Sequence, residues 1–393
     1  MIVRQSCACC GHDLETVLDL GDSPLANYYP AAGEPDGPRY PLQMAVCGVC
    51  WLAQMRHVPD SRKIFGQGYG FVTHSPVSGA YSGAAADWCL ARAPEGLVVE
   101  AGCNDGTLLA AFAARGRQVL GIEPAQAASL AEDRGVPVVR ELLTRESGGK
   151  ITAEHGLASL AVAFHVAAHV PDPGDFLAGI AALLAEDGTA VVEFQSLADL
   201  IAGGQVDHVY HEHRFFYSLD SFTRFAAAQG LTVTEAVRTP AQGGSIRAVL
   251  RRGRLPGADG WRTAEGWLRS WRAYRGLQGR AEYARRRLLE VLQAEHGQGR
   301  VVAGYAASAK SCTLLSFCGI GPDMLPWIAD TTPGKAGRLA PGSRIPIRPE
   351  GDMPDTFLLL AANYLPEILA RMPADWRAAG GKLITPLPVP VMF

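Results

Sequence analysis

Four of the nine cysteines stand as two Cys-x-x-Cys pairs, Cys7 with Cys10 and Cys47 with Cys50. Each pair can present two thiolates from one tight turn, and two such turns complete a tetrahedral site of the kind zinc prefers. Gly11 and Gly48 directly follow Cys10 and Cys47, where the cramped backbone of a knuckle suits glycine. Four thiolates fill the coordination sphere, so an ion held there is structural. Buried free thiols or a redox pair are the alternatives, and Cys9 could substitute for either neighbour. Cys89, Cys103, Cys312 and Cys318 sit in apolar or glycine-rich surroundings and read as packing residues.

A second cluster is Glu100-Ala101-Gly102-Cys103-Asn104-Asp105-Gly106, where an apolar run enters a turn and then a helical stretch. Gly102 lets backbone approach a ligand closely, and Asn104 and Asp105 can cap a helix beginning near Gly106. The cluster is neither Gly-x-Gly-x-x-Gly nor a phosphate-cradling loop. Glu123 ends the next apolar run, where an acidic residue can accept from both hydroxyls of a ribose. Glu100, just before the turn, suits a cationic ligand better than a pyrophosphate. A cationic, ribose-bearing cofactor without phosphates is S-adenosylmethionine. The plainer alternative is a capped strand–helix turn with no ligand.

The third cluster, Asp207-His208-Val209-Tyr210-His211-Glu212-His213, holds three of the ten histidines. The spacing of His211 and His213 does not match His-Glu-x-x-His. An imidazole beside a carboxylate and a phenol suits proton transfer. A solvated polar loop and a second metal site are the alternatives. His211 is the rival of His213 for the proton-transfer role, and only one of them is expected to face the pocket. His165 and His169 follow the run at 160–163, at the carboxyl edge where open α/β sheets bind ligands. His169 could equally be a packing residue at the entry to a helix.

The elements that position these groups follow from periodicity. Apolar runs at 97–100, 118–122, 136–139, 160–163 and 189–192 alternate with helical stretches, which predicts a parallel sheet covered by helices. Runs at 231–237 and 245–250, joined through Gly243-Gly244, suit an antiparallel hairpin at its edge. Residues 263–296 lack proline and read as one long helix or a broken pair. A second α/β unit opens at 301–305, with further strands near 355–361 and 382–385. The expected fold class is therefore α/β: a small zinc-binding domain at 1–66, a central domain at 67–252 and a carboxyl-terminal α/β domain at 261–393. The zinc-binding segment shows little periodicity of its own.

Composition agrees. At roughly 150 residues per domain, 393 residues allow two or three domains. Apolar residues make up 48% and charged residues 19%, which excludes global disorder. A net charge of −3 removes the electrostatic case for nucleic acid or a polybasic membrane contact. No apolar run of about 18 residues occurs and the opening residues lack a signal-peptide apolar region. The expectation is a soluble cytoplasmic protein, monomer or small homo-oligomer, acting on a small molecule.

These segments, taken in order, resemble the sugar C-methyltransferases of deoxysugar biosynthesis, which act on nucleotide-linked 4-keto-6-deoxyhexoses. The resemblance runs through Cys7-Ala8-Cys9-Cys10-Gly11, Leu18-Asp19-Leu20-Gly21-Asp22-Ser23-Pro24-Leu25-Ala26-Asn27, Cys47-Gly48-Val49-Cys50 and the turn from Glu100 to Gly106. It continues through His169-Val170-Pro171-Asp172, Tyr210-His211-Glu212-His213, Gly304-Tyr305-Ala306-Ala307-Ser308-Ala309-Lys310, Phe317-Cys318-Gly319-Ile320-Gly321-Pro322-Asp323 and Pro341-Gly342-Ser343-Arg344-Ile345-Pro346. It implies a structural zinc ion on Cys7, Cys10, Cys47 and Cys50. It also implies a Rossmann-like S-adenosylmethionine domain using Glu100, Gly102, Asn104, Asp105, Glu123 and His165. On the same analogy His213 is the base, with Glu212, Tyr210 and His169 around it, and Thr73, Ser308, Lys310 and Arg344 border the nucleotide sugar.

Three departures stand out: Thr73 replaces a tyrosine common in relatives, His165 an asparagine and Ala306 a glycine. They leave open a different acceptor or reaction, or a non-catalytic module on the same fold. Which carbon takes the methyl group, C3 or C5, is not set by these residues.

Overall fold

The computed structural model describes residues 1–65, 76–253 and 265–393. Among the described residues, the central sheet has seven strands. Val138–Val139, Val119–Ile122, Val98–Ala101, Ala158–Phe164 and Leu184–Gln195 lie side by side in parallel. The hairpin of Leu231–Thr239 and Ser245–Arg252 completes the edge, the latter strand antiparallel to Leu184–Gln195. Numbered along the chain, the order is 3-2-1-4-5-7-6. The parallel strands are nearly all apolar because helices such as Thr107–Ala113 and Pro173–Leu183 bury their faces. The order reverses between the first and fourth strands, and the crevice at their carboxyl ends is where such sheets bind ligands.

The carboxyl-terminal sheet repeats the scheme. Ile347–Arg348, Ile328–Ala329, Val302–Tyr305, Thr356–Leu359 and Lys382–Thr385 run parallel, and Val391–Met392 is antiparallel at the edge. Its order is 3-2-1-4-5-6, with a second crevice between its first and fourth strands. The stretch before it is broken: Trp271–Tyr274 ends at Arg275, and Leu277–Gly297 restarts behind the left-handed Gly276.

The amino-terminal segment is more regular than its sequence suggests. Leu14–Ser23 pairs antiparallel with Tyr40–Cys47, and Ala53–Met55 follows. Irregular register between Thr16 and Leu18, and between Asp19 and Asp22, breaks the alternation of apolar residues that would reveal a strand. The fourth strand, Phe215–Phe216, comes from the central part of the chain and lies just beyond His213. The cores are shared as well. One apolar cluster joins Leu18 and Met44 to Leu288, Leu314 and Leu358, and another joins Cys7 and Cys47 to Val99 and Phe215. Among the described residues no helix is long and apolar enough to cross a membrane.

Candidate functional site

The Sγ atoms of Cys7, Cys10, Cys47 and Cys50 lie within 4.8 Å of one another. Metal–sulfur bonds of about 2.3 Å in a tetrahedron separate sulfurs by roughly 3.8 Å, so the four fit one zinc ion. The backbone N–H groups of Cys9 and Val49 donate to the sulfurs of Cys7 and Cys47 at 3.3 and 3.4 Å, and Gln54 Nε2 donates to Cys7 at 3.2 Å. Such donors favour thiolates. Cys9 thus contributes its N–H while its sulfur lies outside the group of four. Gly11 has the left-handed backbone expected of a knuckle, with φ 73°. Gly48 does not play that part. The matching left-handed residue after the second pair is Trp51, with φ 58°, whereas a Cβ on Gly48 would sit 3.0 Å from the Trp271 ring.

At the first crevice the backbone from Gly102 to Gly106 is wound tightly: Gly102, Asn104 and Gly106 have φ of 70°, 51° and 75°. A Cβ on Gly102 would stand 2.4 Å from Val166 Cγ2, so only glycine fits. Glu123 clamps the turn, accepting from the Asn104 N–H at 3.1 Å and the Ala125 N–H at 2.9 Å. Glu100 Oε2 and Asn104 Oδ1 are buried and have no hydrogen-bond partner. Burial, with Glu123 and Asp105 nearby, pushes the Glu100 carboxyl well above its usual range, and burial also raises Glu123. A ligand carrying positive charge and donor groups relieves both strains, so the residues fit S-adenosylmethionine. Asp105, also expected at the cofactor, helps to hold this turn. Its carboxylate is taken by Arg134 Nη2 at 3.0 Å and by the N–H and hydroxyl of Thr107 at 3.1 and 2.7 Å, so it builds the turn. His165, left-handed at φ 58°, places Nε2 3.1 Å from Oε1 of Glu193, a buried carboxylate hidden from sequence reading inside an apolar strand.

The histidine segment separates its members. His211 is buried against Tyr40 and lies 3.3 Å from the Pro41 carbonyl through Nε2, facing the amino-terminal sheet. His213 turns the other way, edge-on to His169 with ring centres 5.0 Å apart. Its Nδ1 lies 2.9 Å from the His208 carbonyl, which can only accept, so Nδ1 carries the proton. In the neutral ring Nε2 is therefore an acceptor, and the Tyr210 hydroxyl donates to it at 2.7 Å. Burial first, and His169 second, hold His213 well below the usual histidine range, and burial pushes His169 down to about 4. Glu212 does not orient His213. Its Oε1 accepts from Asn27 Nδ2 at 3.3 Å, its Oε2 is buried and unpaired, and burial raises the carboxyl to about 7.

Residues 7–65 match a zinc binding domain family, 84–236 a methyltransferase domain family and 240–388 the C-methyltransferase C-terminal domain family. The C-methyltransferase NovU of Streptomyces niveus is 36% identical over 411 residues, covering 99% of this chain and 97% of that one. This chain belongs to the C-methyltransferase family. Among solved structures, magnesium protoporphyrin IX methyltransferase of Synechocystis PCC 6803 with bound S-adenosylmethionine is 16% identical. It has a TM-score of 0.37 and covers 50% of this chain and 99% of its own. CcbJ methyltransferase of Streptomyces caelestis, also 16% identical, has a TM-score of 0.35 and covers 44% of this chain and 90% of its own. The protein is an S-adenosylmethionine-dependent C-methyltransferase with a structural zinc site.

In this C-methyltransferase the second crevice holds Lys310. Its Nζ donates to Asn363 Oδ1 at 2.6 Å and to Gln242 Oε1 at 3.2 Å, joining the carboxyl-terminal sheet to the turn of the central hairpin. Burial pushes the ammonium down to about 8 against the pull of Asp207. Ser308 is committed elsewhere: it caps the helix Ala309–Cys318 and donates to the Leu360 carbonyl at 3.1 Å. Arg344 reaches Asp36 of the amino-terminal segment at 3.4 Å, and so ties two parts of the chain together. Thr73 lies outside the described residues. The turn after Val302–Tyr305 repeats the cofactor turn, with Ala306 left-handed at φ 73° and Asp330 accepting from the Ala307 and Thr332 N–H groups, both at 2.7 Å. Here Tyr29 and Lys335 both donate to the Ala307 carbonyl at 2.7 Å and fill the approach.

Proposed function

We propose that the acceptor is a nucleotide-linked 4-keto-deoxysugar, methylated at a carbon next to its ketone, in deoxysugar or natural-product biosynthesis. The observation that carries the chemistry is the Tyr210–His213 pair, with His213 Nδ1 pinned to a carbonyl and Nε2 left as the basic nitrogen. The bound cofactor supplies an electrophilic methyl group on a sulfonium. A carbon next to a ketone must lose a proton before it can take that group, and a well-placed base contributes about 10²–10⁴-fold. Burial keeps His213 neutral, so Nε2 carries no proton before the reaction. Once the proton reaches Nε2, that nitrogen can no longer accept from Tyr210. The phenol is then released to donate to the oxygen of the new enolate, and the imidazolium balances the enolate charge in a poorly solvated site. His169, held neutral beside His213, avoids adding a competing positive charge.

In this reading residues 67–252 hold the cofactor on Glu100, Gly102, Asn104, Glu123 and His165. Residues 261–393 close over the nucleotide end of the acceptor with Lys310, and the enzyme works in the cytoplasm as a monomer or small homo-oligomer. The test pairs two variants, with a thymidine-diphosphate-linked 4-keto-6-deoxyhexose as the acceptor. His213→Asn keeps zinc and cofactor binding and lowers turnover about 10²-fold or more. In deuterated water the parent enzyme exchanges the acceptor proton and this variant does not. Loss in His211→Asn with near-normal His213→Asn moves the base to His211. Activity in both ends the carbon-acid reading, and turnover on ketones without a nucleotide but none on nucleotide sugars ends the acceptor reading.

A further inference from the structure

Glu193 is a fully buried carboxylate that the reaction above leaves without a role. On the strand Leu184–Gln195 it stands level with Arg247 on one side and Phe164 on the other. Arg247 Nε donates to Oε2 at 2.6 Å, while the Tyr81 hydroxyl and His165 Nε2 meet at Oε1. Arg247 Nη2 also donates to the Tyr81 hydroxyl at 2.9 Å, and its guanidinium packs among the rings of Tyr81, Trp88 and Phe164. Although burial pushes Glu193 up, His165, Arg247 and Tyr81 hold it below the usual carboxylate range. An ionised carboxylate only accepts, so His165 Nε2 carries a proton and, in the neutral ring, Nδ1 remains an acceptor.

The place of His165 gives that acceptor a use. The next residue, Val166, is the one that abuts Gly102 of the cofactor turn. His165 is also near enough to His169, His208 and His213 to disfavour a charge on each. It is thus close both to the cofactor turn and to the proton-transfer segment.

We propose that Glu193 is a positioning residue that fixes His165 as the Nε2–H tautomer, so that Nδ1 accepts a hydrogen bond from the α-ammonium of the methyl donor. Arg247 and Tyr81 hold the carboxylate in place for this task. The inference rests on the cofactor site assigned above and not on the identity of the acceptor.

Glu193→Gln tests it. Arg247 needs an acceptor and takes the amide oxygen, which turns the amide NH2 toward His165. Nε2 must then accept, and the proton moves to Nδ1, the effect seen when asparagine replaces the aspartate behind a catalytic histidine. Nitrogen-15 NMR of labelled histidine is expected to show His165 as Nε2–H in the parent and Nδ1–H in the variant. Calorimetry with S-adenosylmethionine alone is expected to show an affinity loss of about tenfold or more, at unchanged zinc content. His165→Leu removes the acceptor and leaves Glu193 to Arg247 and Tyr81, and should lose the same factor. An Nδ1–H tautomer in the parent overturns the inference even if neither variant folds. Parent-like affinity in either folded variant also overturns it. Glu123→Ala in the same titration separates the two levels: if it too binds like the parent, the cofactor site is misassigned, and if it alone weakens, only the role of Glu193 falls.

Discussion

Replacing Tyr210 with phenylalanine removes one hydroxyl and little else. The ring of Tyr210 rests on that of His213 with centres 4.0 Å apart, and phenylalanine keeps this contact. Among the described contacts, the 2.7 Å bond to Nε2 is lost, while the 2.9 Å bond from Nδ1 to the His208 carbonyl still holds the imidazole in register. Two sizes of effect are then possible. If the phenol only occupies the resting base, its loss is worth one neutral hydrogen bond, about 0.5–1.5 kcal/mol, and the rate changes by about 2- to 12-fold. The sign of that change can even favour the variant, because Nε2 no longer has to give up a partner before accepting the proton. If the phenol passes to the enolate oxygen, its loss removes a donor worth about 2.7–4 kcal/mol, or roughly 10²–10³-fold in turnover. We expect the larger loss. The assay is single-turnover methyl transfer together with deuterium exchange at the acceptor carbon, after calorimetry shows parent-like cofactor binding. Both readouts should slow together, since enolate formation precedes both. Turnover within tenfold of the parent with unchanged exchange would refute the handover of the phenol.

Three further outcomes follow from the same geometry. Glu212 holds its proton up to about pH 7 in the folded chain, whereas an unfolded glutamate releases it near 4.3, so wild-type stability falls as pH rises between those values. Glu212→Gln keeps an acceptor for Asn27 and removes that slope; thermal melts should show it more stable at pH 8, by on the order of 3 kcal/mol, and equal to the parent near pH 4. Gly102→Ala meets both a left-handed backbone and Val166, so cofactor affinity should fall at least about tenfold while zinc content stays at one per chain, and parent-like binding would show that the turn has room to move. Cys47→Ser, or removal of zinc with a chelator, should unfold the amino-terminal sheet, since Cys47 ends one of its central strands; Cys89→Ala, inside a different core, should leave metal content unchanged.

What was legible in the chain is what is local. The zinc ligands are two pairs three residues apart, and each pair closes its own turn whatever the rest of the chain does. The strand–turn–helix at Gly102, the acidic residue ending the next strand and the hairpin across Gly243-Gly244 are likewise short stretches whose conformation their own residues dictate. Periodicity carried the parallel sheets for the same reason, because a strand buried on both faces must be apolar throughout. It failed for Leu14–Ser23, where irregular register interrupts the alternation.

Contacts between distant residues were left to the tertiary structure. No local rule indicates that Phe215–Phe216 joins the sheet of the zinc-binding segment, that Asn27 takes Glu212 away from His213, or that Tyr29 covers the turn at Ala307. Asp105, Ser308 and Arg344 have the right chemistry for ligands, and only packing shows their polar groups committed to Arg134, Leu360 and Asp36. Glu193 is the converse. In sequence it is a lone charge in an apolar run, and it becomes a candidate functional group only because the sheet sets Arg247 beside it and the fold brings Tyr81 and His165 to the same oxygen. A side chain's type is written in the sequence, but its charge, tautomer and free lone pairs depend on which neighbours folding brings within hydrogen-bond reach.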